Sequence, residues 1–282
     1  MSDVAPSQRP LVPGVASALS PLVRRILAPN PSLFTGPGTN TYVVGIDEAV
    51  VIDPGPIDDA HLDAIVGCGG DRIRWIVLTH THEDHSPGAA KLKQRTGAEV
   101  LGFEERDGVK LDATLADREV IEATEFRLRA IHTPGHVANH LCFYLEEERM
   151  LFTGDHIMEG STVVIDPPDG DMGAYLDSLH KVRKLRLRSI APGHGQLISE
   201  PLATIDEYVA HRLDRDQQVL EALEKLGPAT IDQLVPLIYT DLAQPLLPLA
   251  SRQVYAHLLK LVDDGQATVK DPADTATEWR LA

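Results

Sequence analysis

At 282 residues the chain is long enough for one large domain or for two unequal ones, each with its own core. A hydrophobic fraction of 43% beside 24% charged residues excludes disorder and fibrous architectures, and no apolar run reaches the roughly 18 residues that a membrane-spanning helix needs. The formal charge of −16 argues against a broad basic surface for duplex DNA, and two cysteines, Cys68 and Cys142, are too few for a disulfide framework or a thiolate metal site.

Residues 1–14, rich in Pro, Ser and Ala, read as a loosely held N-terminal arm. They lack the charged start and continuous apolar stretch of a signal peptide, so a cytoplasmic protein is expected. From Asn40 the pattern changes: TNTYVVG and EAVVIDPG are short β-rich runs closed by Gly and Asp-Pro-Gly, as two adjacent strands with a turn would be. DDAHLDAIVGC has helical spacing, and RIRWIVLTH returns to a buried strand. Then come SPGAAKLKQRTG as a helix and AEVLGF, FRLRAIHTPG, HLCFYLEE and MLFTGD as strands. MGAYLDSLHKVRKLRL is a helix and RSIAPGHG a last strand. This succession predicts a layered α/β domain over 15–200, with antiparallel pairs among its strands.

After Pro201 the spacing becomes helical. A long helix is stopped by Gly227-Pro228, TIDQLVPLIY and SRQVYAHLLKLVDDG follow, and QATVK with TEWRLA make a short hairpin. Helix, helix, helix, hairpin is the order of a winged helix, which predicts a second, smaller domain over 201–282.

The chemistry concentrates in LTHTHEDHSPG. His80 and His82 are two apart at the end of an extended run, so their side chains point the same way. Ser86-Pro87 reads as an N-cap followed by proline, which puts Asp84 and His85 in the turn entering a helix. One or two such histidines would be solvated loop residues; the spacing H-x-H-x-D-H at a strand end instead supplies the imidazole and carboxylate ligands that zinc takes when thiolate is absent. His136 in HTPGH, Asp155 in TGDH and His194 in APGHG each follow an apolar strand and stand beside a glycine, where the backbone can turn and expose a side chain. Seven ligands exceed what one tetrahedral ion uses, so two ions are expected.

These motifs, IDPG, THTHEDH, HTPGH, GDH and PGHG in that order, resemble those of the metallo-β-lactamase fold superfamily over about residues 30–200. The resemblance implies an αββα sandwich with a smaller C-terminal winged-helix-like domain. It also implies two Zn2+ per chain, with iron or manganese as alternatives. His80, His82 and His136 would bind the first ion, Asp84, His85 and His194 the second, and Asp155 both. Asp84 counts as a catalytic group as well as a ligand. Asp53 matches the buried acid that orients the ligand loop, while its own sequence context equally suits a plain turn residue. Within the superfamily, NPSLFTGPGTNTYVVG and HRLDRDQQVL resemble the lactamase-β-like-2, glyoxalase II-like group, which includes endoribonucleases acting on single-stranded RNA; similar sequences serve as acyl thioesterases.

The expected reaction is hydrolysis by a hydroxide shared between two ions about 3.5–4 Å apart. No nucleophile elbow, P-loop or dinucleotide fingerprint offers another chemistry. His140 can donate a proton to the leaving group or be an ordinary strand residue, and His156, facing away from Asp155 along a strand, is not assigned as a ligand. The substrate expected first is single-stranded RNA; the alternatives are a small-molecule ester or thioester, then a β-lactam, and, outside enzymes, a metal- or ligand-binding module. KVRKLRLR at 181–188 can track a phosphate backbone or be a solvated helix face, and Arg212 can reach a substrate anion or form an interdomain salt bridge. Against a nucleic-acid reader, residues 203–282 carry 13 acidic and 7 basic side chains. A winged helix can instead be a dimerisation module, which leaves a homodimer as an alternative.

Overall fold

A computed structural model of the chain describes residues 10–282. Contacts divide the chain into two compact units that interleave along the sequence. The first runs to Thr133 and adds Asn139–Thr162 and Leu185–Leu202; the second comprises Pro134–Ala138, Val163–Lys184 and Ala203–Ala282. The boundary expected near residue 201 follows the chain, whereas the contacts regroup Val163–Lys184 with the tail. Polar links carry that regrouping: Arg212 donates to the Val163 carbonyl, Gln253 donates to the Ile165 carbonyl at 3.1 Å, and Arg252 pairs with Asp166.

The first unit is built on two sheets. The larger runs in order from β1 (Ser17–Ala18) and β2 (Val23–Leu27) through β3 (Asn40–Val44), β4 (Ala49–Ile52), β5 (Ile73–Val77) and β6 (Glu99–Gly102) to β7 (Ala113–Thr114). Its first four strands pair antiparallel; from β4 onward pairing is parallel, with helices α1 (Asp59–Gly69) and α2 (Gly88–Thr96) carrying the chain back to β5 and β6 and a loop carrying it back to β7. The smaller sheet orders β12 (Ser189–Pro192), β11 (Met150–Gly154), β10 (Leu141–Leu145), β9 (Arg127–His132) and β8 (Val120–Glu122). A core of side chains such as Tyr42, Val50, Val77, Leu128, Phe143 and Phe152 draws on both sheets, and a second packs Ile26, Val51 and Ile76 with Leu62 and Ile65 of α1 and Leu92 of α2. Strands β3 and β4 are buried along their whole length, which is why they read as continuous apolar runs rather than alternating ones.

Three local expectations are modified. Strand β2 went unread because Arg24 and Arg25 interrupt its apolar signal. Helix α2 begins at Gly88 with Pro87 at its N-cap, since the Ser86 hydroxyl donates to the Thr81 and His82 carbonyls instead of capping. Helix α3 (Met172–Arg183) stops short of the basic run's end: Lys184 closes it, and Arg186 and Arg188 are drawn to the smaller sheet through the Tyr144 hydroxyl and the Arg149 carbonyl. The basic run therefore does not form one helical face. Of the arm expected over 1–14, residues 1–9 lie outside the described residues, while Pro13 and Gly14 are bridged to Leu27.

In the second unit, α4 (Pro201–Leu226), α5 (Ile231–Ile238) and α6 (Leu247–Asp263) enclose a core with Trp279, and β13 (Ala267–Val269) pairs antiparallel with β14 (Trp279–Leu281) as the expected hairpin. Thr230 and Gln233 form a capping box at the start of α5. Among the described residues no helix is long and apolar enough to cross a membrane.

Candidate metal centre

The site lies where strands of both sheets end. Strand β4 delivers Asp53 in a left-handed conformation, φ +49°, unusual for a residue with a side chain. That turn aims its carboxylate at the loop after β5: Oδ1 accepts from the Thr79 amide at 2.7 Å, and Oδ2 accepts from the Thr79 hydroxyl at 2.7 Å and from His85 Nδ1 at 2.9 Å. Asp53 is thus a buried acid that accepts from both Thr79 and His85. Because the Thr79 hydroxyl spends its proton on Asp53, its oxygen accepts from His80 Nδ1 at 3.0 Å. His194 Nδ1 donates to the Gly38 carbonyl at 3.2 Å. The outer nitrogens of His80, His85 and His194 are therefore committed as donors, which leaves each Nε2 turned inward as the atom a metal would take, once free of its proton.

The inward atoms crowd together. His85 Nε2 is 3.4 Å from an Asp84 oxygen, 3.3 Å from Asp155 and 3.3 Å from His194 Nε2; His194 Nε2 is 3.2 Å from both carboxylates. Donors held 2.0–2.1 Å from a common tetrahedral centre stand about 3.3 Å apart, so these spacings match the edges of a zinc-sized tetrahedron. Asp155 also offers a ligand atom within 4.8 Å of those of His80 and His82, making it the member common to both clusters of the first unit. His136 belongs to the second unit, where its Nδ1 donates to the Val164 carbonyl at 2.6 Å.

The charge balance suits a cation. Burial opposes charge on His85, but Asp84, Asp155 and Asp53 outweigh it and hold the imidazole well above its ordinary value. His194, also opposed by burial, is raised by Asp155 and Asp84 to about 9. Burial works to raise Asp155, yet His85 and His194 keep it well below the usual carboxylate range. His80, buried and facing the charged His85, is pushed down. Gly193 is a steric necessity here, since a Cβ on it would come within 2.8 Å of His85 Cε1 and 3.0 Å of an Asp155 oxygen.

Other predicted residues have defined places. His140 is fully buried, stacks on His80 with ring centroids 5.2 Å apart, and is hydrogen bonded through Nδ1 to Thr133; His156 lies behind it at 5.9 Å. Arg212 is inside the second unit, 3% exposed, donating to Gln253 and the Val163 carbonyl and lying 5.3 Å from the Tyr175 ring centroid. That arrangement keeps its guanidinium off the surface.

Sequence reading missed the supports. Asn40 donates to the Pro192 and Gly195 carbonyls at 3.0 and 2.9 Å and Tyr42 to Pro192 at 2.7 Å, pinning the turn that carries His194. Thr41 donates to the Asp53 carbonyl at 2.6 Å and is hydrogen bonded to His61 Nε2 at 2.9 Å. Only the polar residues within otherwise apolar TNTYVV signalled them. Burial pushes the His61 imidazole down to about 4, against about 6.5 unfolded. Between those values the unfolded chain binds the extra proton, so His61 contributes stability that is present above pH 6.5 and lost as pH falls towards 4. Lowering the pH from 7 to 5 is expected to cost about 2 kcal/mol through this group. Denaturant unfolding at both pH values, in wild type and in His61→Gln, checks it: the variant should lose that much less.

Comparison with known proteins bears on the family and the fold. The profile of the metallo-beta-lactamase superfamily matches residues 34–194, and that of the beta-lactamase associated winged helix domain matches 230–279. A beta-lactamase-like protein 2 homolog of Caenorhabditis elegans is 32% identical, with 93% of this chain and 90% of the relative covered. An atrochrysone carboxyl ACP thioesterase of Cryptosporiopsis sp. (strain 8999) is 31% identical, over 88% of this chain and 82% of the relative. Among solved structures, a metallo-beta-lactamase family protein of Thermus thermophilus superposes with TM-score 0.77 at 22% identity, covering 94% of this chain and all of that one.

Proposed function

Because this chain belongs to the metallo-β-lactamase superfamily, we propose that it is a two-metal hydrolase of acyl thioesters, with zinc as the metal. The observation that carries the reading is the tetrahedral spacing of the donors of Asp84, His85, Asp155 and His194. Those four would hold one ion; His80, His82 and Asp155, with His136 assigned from the family pattern, would hold the other. The donor set, imidazole and carboxylate without thiolate, fits zinc and also accepts iron or manganese.

When bound, the ions supply Lewis acidity to the substrate carbonyl and lower the pKa of water. The chain supplies the rest. Asp53, Thr79 and the Gly38 carbonyl hold the outer imidazole nitrogens protonated, which fixes the inward lone pairs. Asp155, placed between the two clusters, sets their separation. His140, buried behind His80, acts as a packing support for that ring and not as a proton donor to substrate.

Thioester is favoured over the RNA expected first because thioesterases named as such align with nearly the whole chain, and because the C-terminal 80 residues are acidic. The test is a panel of acyl thioesters and labelled single-stranded RNA, incubated with metal-loaded wild type and Asp84→Ala. Thioester hydrolysis with kcat/KM of roughly 10⁴ M⁻¹ s⁻¹ or more, absent in the variant, is expected. RNA cleavage that disappears in the variant, with no thioester turnover in wild type, would overturn the proposal.

A further inference from the structure

Strand β2 carries two consecutive arginines, which alternation turns to opposite faces of the sheet. Arg24 donates to the Leu22 and Gly45 carbonyls at 3.3 and 2.6 Å. Arg25 faces the other way and is only 2% exposed. Its Nη1 donates to the Gln196 side chain at 3.2 Å and to the Gly195 carbonyl at 3.5 Å, while Nη2 has no hydrogen-bond partner. Burial lowers its pKa, and the one group that opposes this is Tyr42, whose hydroxyl keeps its proton and donates it to the Pro192 carbonyl. No carboxylate acts on the charge. Buried arginines are ordinarily paired, because a charge taken out of water needs a counter-ion to offset its lost hydration.

A cavity of about 220 Å³ borders this residue. Leu11, Val12, Val15 and Leu27 give it apolar walls, and Ser17 stands directly opposite Arg25 in the β1–β2 ladder. Among the described residues that line it none is acidic, and none is a candidate metal ligand. The tethers on Nη1 are long beside the roughly 2.9–3.0 Å usual for N–H···O, so little opposes a turn of the guanidinium that brings its unpartnered nitrogen to an anion.

We propose that this cavity binds a small carboxylate with an apolar body, its anionic end on the Arg25 guanidinium and its body against Leu11, Val12, Val15 and Leu27. The planar fork of arginine matches the two oxygens of a carboxylate. The apolar walls favour a hydrocarbon tail over a bare inorganic anion, which would leave them uncovered. The ligand supplies the counter-ion that the chain withholds. This site is independent of the bond that the metal centre cleaves.

The experiment titrates hexanoate into the metal-loaded full chain by calorimetry, with inorganic phosphate as a charge without a tail and 1-hexanol as a tail without a charge. Wild type is expected to bind hexanoate at least tenfold more tightly than either. Arg25→Met should weaken hexanoate tenfold or more, and its thermal midpoint without ligand should equal or exceed that of wild type, since an uncompensated buried charge is gone. Ser17→Asp leaves the arginine in place and sets a carboxylate opposite it; it should raise the midpoint, weaken hexanoate to the same degree, and keep the bound metal unchanged. Hexanoate held by the metal ions would persist in both variants. Affinity within twofold of wild type in Ser17→Asp, or in Arg25→Met where that variant folds, therefore overturns the site. So does the absence of hexanoate binding by wild type at about 10 mM. Phosphate binding more tightly than hexanoate overturns the ligand class.

Discussion

Asp155→Ala is expected to lower kcat by roughly 10³-fold or more and to remove at least one bound metal ion per chain. The carboxylate is the group common to both clusters: its oxygen is 3.3 Å from His85 and 3.2 Å from His194, and it lies within ligand reach of His80 and His82. Removing any other donor would leave one cluster whole; removing this one opens both. Metal analysis after dialysis, together with thioester turnover, checks the outcome. Activity above a tenth of wild type at full metal occupancy would show that the two clusters do not depend on a shared carboxylate. The metal-free variant should also show a smaller rise in the pKa of His194, since Asp155 is foremost among the groups that oppose its burial while Asp84 remains.

Asp53→Ala should weaken metal binding by 10–100-fold and destabilise the fold by about 3 kcal/mol or more. It removes the acceptor from three buried donors, the Thr79 amide, the Thr79 hydroxyl and His85 Nδ1. Asp53→Asn separates the contributions. Asparagine tolerates the left-handed backbone at φ +49° and keeps one oxygen for the Thr79 amide, but its NH2 faces donors where Oδ2 accepted. It should recover much of the stability and little of the metal affinity. Chelator competition and denaturant unfolding provide the two readouts; an alanine variant within twofold of wild-type affinity would mean that His85 is oriented by its neighbours in the loop instead.

Legibility from sequence followed the range of the interaction. The densest signal, H-x-H-x-D-H, is local, and the structure brings Asp84 and His85 together as the spacing suggests. His85 and His194 are 109 positions apart, and no periodicity links them; only the ordered set of motifs, read through a family resemblance, put them in one site. The supports that Asn40, Tyr42 and Thr41 provide were marked only as polar residues in an otherwise apolar strand, because each donates to a distant backbone carbonyl that composition does not reveal. Arg212 shows the converse. A charged residue at a chain boundary reads as exposed, yet its guanidinium is enclosed by Gln253, the Val163 carbonyl and Tyr175.

By itself the sequence determined the types and order of most of the elements, the winged-helix succession of the tail, and the residue types available to a metal, because helical and strand periodicities, glycine turns and proline stops act over a few residues. Tertiary structure alone decided which of those groups converge, that the Asp53 carboxylate accepts from His85, and that Val163–Lys184 groups with the tail. These are contacts between distant positions, fixed only when sheet register and loop bracing bring them within hydrogen-bonding or van der Waals reach.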